Sequence, residues 1–170
     1  MPDRLKAAIK RAASLRRESK FTEALAILLD LYKAHPRDPQ VNYELACTYD
    51  PQGMEEEAIP HYEFALENGL GGEDLRGALL GLGSSYRCTG RITDSVRTLE
   101  KGIARFPDAP EFKVFLALSL YNLGRHRDSM TLLLAHIAEY SREPATKRYG
   151  AAIAHYAASP DLPDNAPYDD

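Results

Sequence analysis

Residues of the kinds that perform chemistry are present in this sequence, but they form no recognisable site. The five histidines are His35, His61, His126, His136 and His155. No two of them have the i, i+4 spacing with which a helix presents histidines to zinc. The two cysteines, Cys47 and Cys88, have no second thiol or imidazole at ligand spacing, so we interpret them as single buried or half-buried thiols. The sequence therefore predicts no metal site and no cofactor.

The sequence also lacks catalytic patterns. Ser14 and the pair Ser84-Ser85 lie outside any GxSxG context, the signature of a serine nucleophile on a sharp turn. The glycines between 69 and 72 are not followed by the Gly-Lys-Ser/Thr of a phosphate-binding loop. The glutamates at 55–57 lie at a predicted helix amino end, where the helix dipole favours carboxylates without any catalytic partner. We therefore predict no catalytic residues and a protein that is not an enzyme.

The composition restricts the classes of partner. With 170 residues, 44% of them hydrophobic and 27% charged, the chain has the composition of one ordinary soluble domain. A formal net charge of −4 and a pI near 5.8 provide no general attraction for nucleic acid or anionic lipid. No apolar run approaches the ~20 residues of a membrane-spanning helix, and the amino terminus lacks the apolar core of a secretory signal. We expect a cytoplasmic protein that binds neither nucleic acid nor membranes.

The elements that would position a functional surface are clearest between residues 79 and 107. One apolar face recurs at helical spacing before Gly90, and a second follows before Pro107. The first consists of Leu79, Leu82, Gly83 and Tyr86, and the second of Ile92, Val96, Leu99, Ile103 and Phe106. Two helices joined this tightly must lie antiparallel, and Gly83 and Ser95 are the small residues that allow their backbones to approach.

The same arrangement recurs along the chain. The small residues of the second helices are Ala24, Ala58, Ser95 and Ser129, at intervals of 34, 37 and 34 residues. The turn residues five positions before them are Ser19, Gly53, Gly90 and Gly124. The small residues twelve positions before them are Ala12, Ala46, Gly83 and Ala117. This register predicts four helix-turn-helix repeats.

A helix-turn-helix unit of 34 residues resembles the tetratricopeptide repeat (TPR). The matching positions are Leu82, Gly83, Tyr86, Ser95 and Pro107. The second-helix position that the family usually fills with alanine is occupied here by Leu31, Ala65, Gly102 and His136. The resemblance extends from about residue 5 to residue 141, and it includes small bacterial proteins built almost entirely of such repeats. It implies an all-α, right-handed α-solenoid of about four TPR-like repeats.

We expect a single solenoid domain over residues 1–158. Its repeats cover about 5–38, 39–72, 76–109 and 110–143, and a C-terminal capping helix follows over 144–158. Pro60 lies inside the second helix of repeat two, where its missing amide and its ring cost ~3 kcal/mol, so we expect a kink or an irregular first turn. The stretch 159–170 has three prolines, four aspartates and no basic residue, which predicts a disordered acidic tail.

In the TPR family the first helices line the concave face, so the resemblance places function there. The predicted partner-binding groove consists of Tyr43, Cys47, Leu80, Ser84, Arg87, Val114, Phe115, Leu118 and Tyr121. Its side chains are small around Gly77 and Gly81 and apolar on both sides, which favours a peptide or a partner helix. Alternatively, these residues pack against neighbouring first helices. The basic and amide groups with which some members grip a terminal carboxylate are absent.

The first predicted helix is strongly basic. Its cations Lys6, Lys10, Arg16 and Arg17 form either a docking edge for an acidic partner or the solvated face of a terminal helix. We therefore predict a non-catalytic protein–protein interaction module that binds a peptide or partner helix. The alternative is a homo-oligomerising scaffold, such as a homodimer, whose groove is occupied by another copy or by the C-terminal tail.

Overall fold

The computed structural model describes residues 2–158, and these residues form helices and turns without any β-strand. The helices are α1 (Pro2–Arg17), α2 (Phe21–Ala34), α3 (Pro39–Tyr49), α4 (Glu55–Glu67), α5 (Gly72–Cys88), α6 (Ile92–Arg105), α7 (Glu111–Asn122), α8 (His126–Tyr140), α9 (Pro144–Arg148) and α10 (Gly150–Ala158). One turn of 3₁₀-helix, Asp50–Gln52, follows α3. The all-α prediction is confirmed.

The turn inside each helix pair has the same backbone geometry. Its residues Ser19, Gly53, Gly90 and Gly124 all have positive φ, at 59°, 73°, 79° and 80°. In each case the next amide reaches back to a carbonyl five residues earlier, as when Arg91 N donates to Tyr86 O at 2.8 Å. This left-handed closure satisfies the last carbonyls of the first helix and reverses the chain, so each pair is antiparallel. Glycine recurs at this position because it adopts positive φ without steric cost.

Small residues bring the two helices of each pair together. All eight predicted positions are buried: Ala12, Ala24, Ala46, Ala58, Gly83, Ser95, Ala117 and Ser129. A side chain added at Gly83 would overlap Leu99. The Ser95 hydroxyl donates to Gly83 O at 2.6 Å and lies 2.7 Å from the Ser119 hydroxyl. The repeat register inferred from small residues therefore corresponds to real close approaches.

The pairs stack into a solenoid. Each second helix packs against its own first helix and against the first helix of the next pair. Three apolar cores result, and each is built from one pair plus the following first helix: the first around Leu28 and Leu45, the second around Tyr62, and the third around Leu99 and Phe112. Burying one such side chain stabilises the fold by roughly 1.5–3 kcal/mol. Stability is thus distributed along a line of neighbour contacts.

Polar contacts also link consecutive first helices, and we call this series the polar ladder. Arg16 on α1 binds Glu44 on α3 through Nε and Nη2, at 3.2 and 3.1 Å. Gln40 Nε2 on α3 donates to Asp74 Oδ2 on α5 at 2.9 Å. Arg76 Nε on α5 donates to Glu111 Oε1 on α7 at 2.6 Å. Each rung joins the same face of two neighbouring repeats.

Two segments differ in detail from the sequence-based expectation. Helix α4 runs from Glu55 to Glu67 with Pro60 inside it, and its first turn is α-helical rather than irregular. The stretch predicted as one capping helix is divided at Tyr149 into α9 and α10, and α10 packs against α8. The predicted tail over 159–170 lies outside the described residues.

Candidate functional site

The first helices enclose a depression that we call the central cavity. Its volume is about 350 Å³. Its lining residues are Arg16, Cys47, Asp50, Pro51, Tyr62, Gly77, Leu80, Gly81, Ser84 and Phe115. Helices α1, α3, α5 and α7 all contribute to it, together with the 3₁₀ turn and one tyrosine from α4. The cavity therefore exists only because four successive repeats are stacked in register.

The structure brings part of the predicted groove together in this cavity. Four of the nine predicted residues line it: Cys47, Leu80, Ser84 and Phe115. Tyr43 is only 9% exposed and belongs to the second core. Leu118 and Tyr121 lie on α7 outside the cavity and are 43% and 61% exposed. Val114 and Arg87 are half-buried and do not line the cavity.

The glycines of α5 have a structural reason that sequence alone did not reveal. A side chain at Gly77 would collide with the hydroxyl end of Tyr43, and one at Gly81 would collide with the ring of Tyr62. The low side-chain volume at these positions is therefore largely filled by two tyrosines from the preceding repeat. The remaining free space lies beyond those rings, toward Leu80 and Phe115. The interpretation of Gly77 and Gly81 as an open trough was thus only partly correct.

A hydrogen-bonded group forms the polar side of the central cavity. The Tyr62 hydroxyl donates to Asp50 Oδ2 at 3.2 Å and lies 3.7 Å from Cys47 Sγ. The Ser85 hydroxyl donates to Asp50 Oδ1 at 3.4 Å. Burial raises the pKa of the Asp50 carboxyl, and the hydrogen bonds from Tyr62 and Ser85 oppose that shift. Asp50 thus joins the 3₁₀ turn to α4 and α5 and holds the cavity wall in place.

The cysteines differ in exposure. Burial raises the pKa of the Cys47 thiol to about 11, although the nearby Arg16 guanidinium favours the thiolate. Cys47 therefore remains protonated near neutral pH and is a poor nucleophile. Cys88 is exposed, contrary to the expectation that both thiols would be buried or half-buried. A hydrogen bond at 3.7 Å joins the Arg87 guanidinium to its sulfur.

A second depression, the amino-terminal cavity, lies beside the first. Its volume is about 530 Å³. Its lining residues are Leu5, Lys6, Ile9, Lys10, Ala13, Arg17, Asp38, Gln40, Glu44 and Asp74. Glu44 lines this cavity and Arg16 lines the central one, so their ion pair forms the boundary between the two.

The predicted basic edge is divided between these cavities. Lys6, Lys10 and Arg17 line the amino-terminal cavity, whereas Arg16 faces the central cavity and is paired with Glu44. Burial raises the pKa of the Glu44 carboxyl, and Arg16 opposes that shift by stabilising the carboxylate. Sequence reasoning missed the contributions of Tyr62 and Asp74, because Tyr62 comes from a second helix and Asp74 from the first turn of α5. The paired glycines of α5 were the available signal for Tyr62, since they required an occupant.

Further features limit the chemistry of the described residues. Within residues 2–158, no cluster of three or more histidine, cysteine, aspartate or glutamate side chains has a geometry suited to a metal ion. None of the helices in that part of the chain combines the length and apolar character needed to cross a membrane.

Comparison with known families agrees with this architecture. The family model described as tetratrico peptide repeat matches residues 39–159. The chain belongs to the tetratricopeptide repeat family. TPR proteins generally mediate protein–protein interaction. The TPR match covers most of the solenoid, including every helix that lines the central cavity except α1.

A solved structure shares the TPR fold. It is the crystal structure of nearly identical TPR-like repeats from Podosopora anserina, assigned to a kinesin light chain. The two chains superpose with a TM-score of 0.70 at 18% identity, covering 92% of this chain and 86% of the other. The comparison with curated proteins gave no significant match.

Proposed function

We propose that this TPR protein is a non-catalytic interaction module that binds a peptide or a partner helix in the central cavity. The observation that carries this proposal is the cavity itself, which is formed by four successive first helices and has an apolar side at Leu80 and Phe115. Its volume of about 350 Å³ is within the range of known ligand sites. A space of this size accommodates an apolar anchor side chain, which is the contact that dominates most peptide interfaces.

The surroundings of the cavity favour a macromolecular partner. On α7, the Leu118 and Tyr121 side chains continue the apolar surface beyond the cavity and remain exposed. The Tyr121 ring contacts the His126 ring with centroids 4.7 Å apart, which holds the tyrosine beside the turn into α8. A bound segment would therefore place one anchor near Phe115 and further apolar side chains along α7.

The polar residues of the cavity support a binding role rather than catalysis. Cys47 has a raised pKa, and Asp50 accepts hydrogen bonds from Tyr62 and Ser85. These groups therefore position the wall and offer no activated nucleophile with an adjacent base.

The proposal is tested by filling the cavity without removing a core side chain. Ser84 lines the cavity, so Ser84→Phe places a ring in the space that the anchor would occupy. Thr22→Phe is the matched control, because Thr22 is exposed on the second helix α2. Peptides are selected from a random library on the unaltered protein, and their affinities for both variants are measured by fluorescence anisotropy.

We expect the selected peptides to bind Thr22→Phe normally and Ser84→Phe about tenfold or more weakly, as hot-spot loss predicts. Circular dichroism must show equal helicity for both variants. Equal binding to both variants would overturn the central cavity as the site. Failure to select any peptide would argue against an interaction module of this kind.

The homo-oligomeric alternative is separated by a mass measurement. Light-scattering chromatography over a range of concentrations reports whether the chain forms a dimer. A dimer that Ser84→Phe dissociates, and Thr22→Phe does not, would identify another copy of the chain as the occupant of the central cavity.

A further inference from the structure

We propose that the amino-terminal cavity binds acidic side chains of the same partner, so that the bound segment is an extended acidic peptide. This inference rests on the proposed function, because it assigns the chemistry of the ligand at the end of the site nearest α1. Three observations carry it: three cations without ion-pair partners, three carboxylates that are already hydrogen-bonded, and the spacing of the cations along α1.

The cations form one row on the cavity side of α1. Lys6, Lys10 and Arg17 all line the amino-terminal cavity together with the apolar Ile9 and Ala13. Among residues 2–158, none of the ion pairs with nitrogen and oxygen within 4.0 Å involves any of these three cations. The row therefore presents positive charge to the cavity.

The carboxylates of the opposite wall bind groups of the protein itself. Asp38 caps α3 by accepting hydrogen bonds from the amides of Gln40 and Val41, at 2.9 and 3.0 Å. Glu44 accepts both contacts from the Arg16 guanidinium, and Asp74 accepts from the Gln40 side chain. Because each acid already has a donor, an entering ligand meets mainly the donors of Lys6, Lys10 and Arg17.

The spacing of the cations suits an extended chain. Lys6 and Lys10 are four residues apart on α1, which corresponds to about 6 Å along a helix axis. Side chains on one side of an extended peptide recur every two residues, at about 6.6 Å. Two acidic residues separated by one residue therefore match the two lysines, and the intervening side chain faces away. Arg17 lies about 10 Å further along and meets a third acid.

The charge distribution favours a peptide over nucleic acid. Asp38, Glu44 and Asp74 on the opposite wall would repel a continuous row of phosphates, and the net charge of −4 adds to that repulsion. A peptide with separated carboxylates avoids the acidic wall and places its apolar residues on Ile9 and Ala13. An acidic peptide is thus the ligand class that both walls accept.

The experiment compares two charge-matched triple variants of the full chain. The first, Lys6→Gln/Lys10→Gln/Arg17→Gln, removes the cation row. The control, Arg4→Gln/Arg11→Gln/Lys101→Gln, removes the same charge at exposed positions outside the cavity. The probes are the library-selected peptides, their Asp/Glu→Asn/Gln counterparts, a synthetic peptide of residues 159–170, and oligo-dT.

We expect peptides selected on the unaltered protein to be enriched in acidic residues two positions apart. Their affinity should fall about tenfold on the first triple variant, change little on the control, and decrease with added salt, as exposed ion pairs predict. Binding of the 159–170 peptide with the same dependence would support acidic recognition and identify a segment of the chain as one source.

Selected peptides without an acidic preference, or equal losses on the two triple variants, would overturn the inference. The proposed function would still stand in that case if Ser84→Phe weakened the same peptides. Tighter binding of oligo-dT than of any selected peptide would instead make nucleic acid the ligand and contradict the inference. If no peptide is selected, the proposed function fails and the inference fails with it.

Discussion

The α6–α7 junction and the α8 end of the solenoid treat the same repeat position differently. In α6 this position is Gly102, which is buried, and any side chain there would overlap the ring of Phe112 on α7. In α8 it is His136, which is half-buried and stacks on Tyr140 with ring centroids 5.0 Å apart. Its Nδ1 is buried without a hydrogen-bond partner.

This difference shows that the following first helix decides which residue fits. Helix α7 inserts Phe112 completely between its neighbours, so Gly102 must lack a side chain. Helix α8 is followed by the short α9 and α10, and Ser129 is its buried residue. Met130, Ile137 and Tyr140 on α8 remain exposed. In a linear array, a position loses its constraint where it loses its neighbour.

The strongest test removes the ring that fills the junction. Phe112→Ala is expected to lower the free energy of unfolding by about 3–5 kcal/mol, because Phe112 is fully buried and its loss leaves a cavity. Tyr156→Ala at the chain's other extreme of burial, with 63% exposure, should change it by less than about 0.5 kcal/mol. Urea denaturation followed by circular dichroism measures both, and similar losses would mean that the junction is not special.

The second test adds a side chain at the compared position itself. Gly102→Leu should cost about 1–3 kcal/mol by overpacking against Phe112, whereas His136→Leu should be close to neutral. The same urea denaturation applies. Combining Gly102→Leu with Phe112→Ala should recover part of the loss, since the leucine can enter the space left by the ring. Additive losses would show that the collision with Phe112 is not the cause.

The third test concerns the buried hydroxyls beside the junction. Ser95→Ala should cost about 1–2 kcal/mol, because it removes hydrogen bonds to Gly83 O and to the Ser119 hydroxyl. Ser129→Ala at the equivalent position of α8 should cost less than about 0.5 kcal/mol, since alanine is the natural residue at 24 and 58. Thermal unfolding of both variants decides the matter, and a larger loss for Ser129→Ala would reverse the comparison.

The smallest effect extends the comparison to the first turn. Ser19 has φ 59°, in the left-handed region that glycine occupies in the other three turns. Ser19→Gly should raise the free energy of unfolding by about 0.5–1 kcal/mol, because strain is relieved but backbone entropy is lost. Gly90→Ser should lower it by a similar amount. Melting temperatures measure both, and a destabilised Ser19→Gly would indicate that the serine compensates for its strain.

The repeat register could be predicted because backbone geometry restricts residue type. Positive φ at Gly53, Gly90 and Gly124 and close helix approach at Gly83 leave few alternatives, so those residues recur at fixed intervals. The same logic placed four residues of the central cavity correctly together. Such signals are local, and a single sequence shows them directly.

The occupants of the cavity could not be predicted in the same way. A glycine such as Gly81 indicates that space is required, but not that Tyr62 from α4 fills it, because that depends on how adjacent pairs are oriented. Arg16 was grouped with the basic edge, and only the packing of α1 on α3 shows its pairing with Glu44. Charge alone cannot distinguish a paired cation from a free one.

The polar ladder has a mechanical consequence. Its rungs join successive first helices, so straightening the solenoid would stretch Arg16–Glu44, Gln40–Asp74 and Arg76–Glu111 while the cores behind them stay closed. Two rungs are ion pairs that dissolved salt weakens, whereas the middle rung uses a neutral amide donor. We therefore expect ionic strength to soften the curvature of the molecule at its two ends more than at its centre, like a spring with unequal coils.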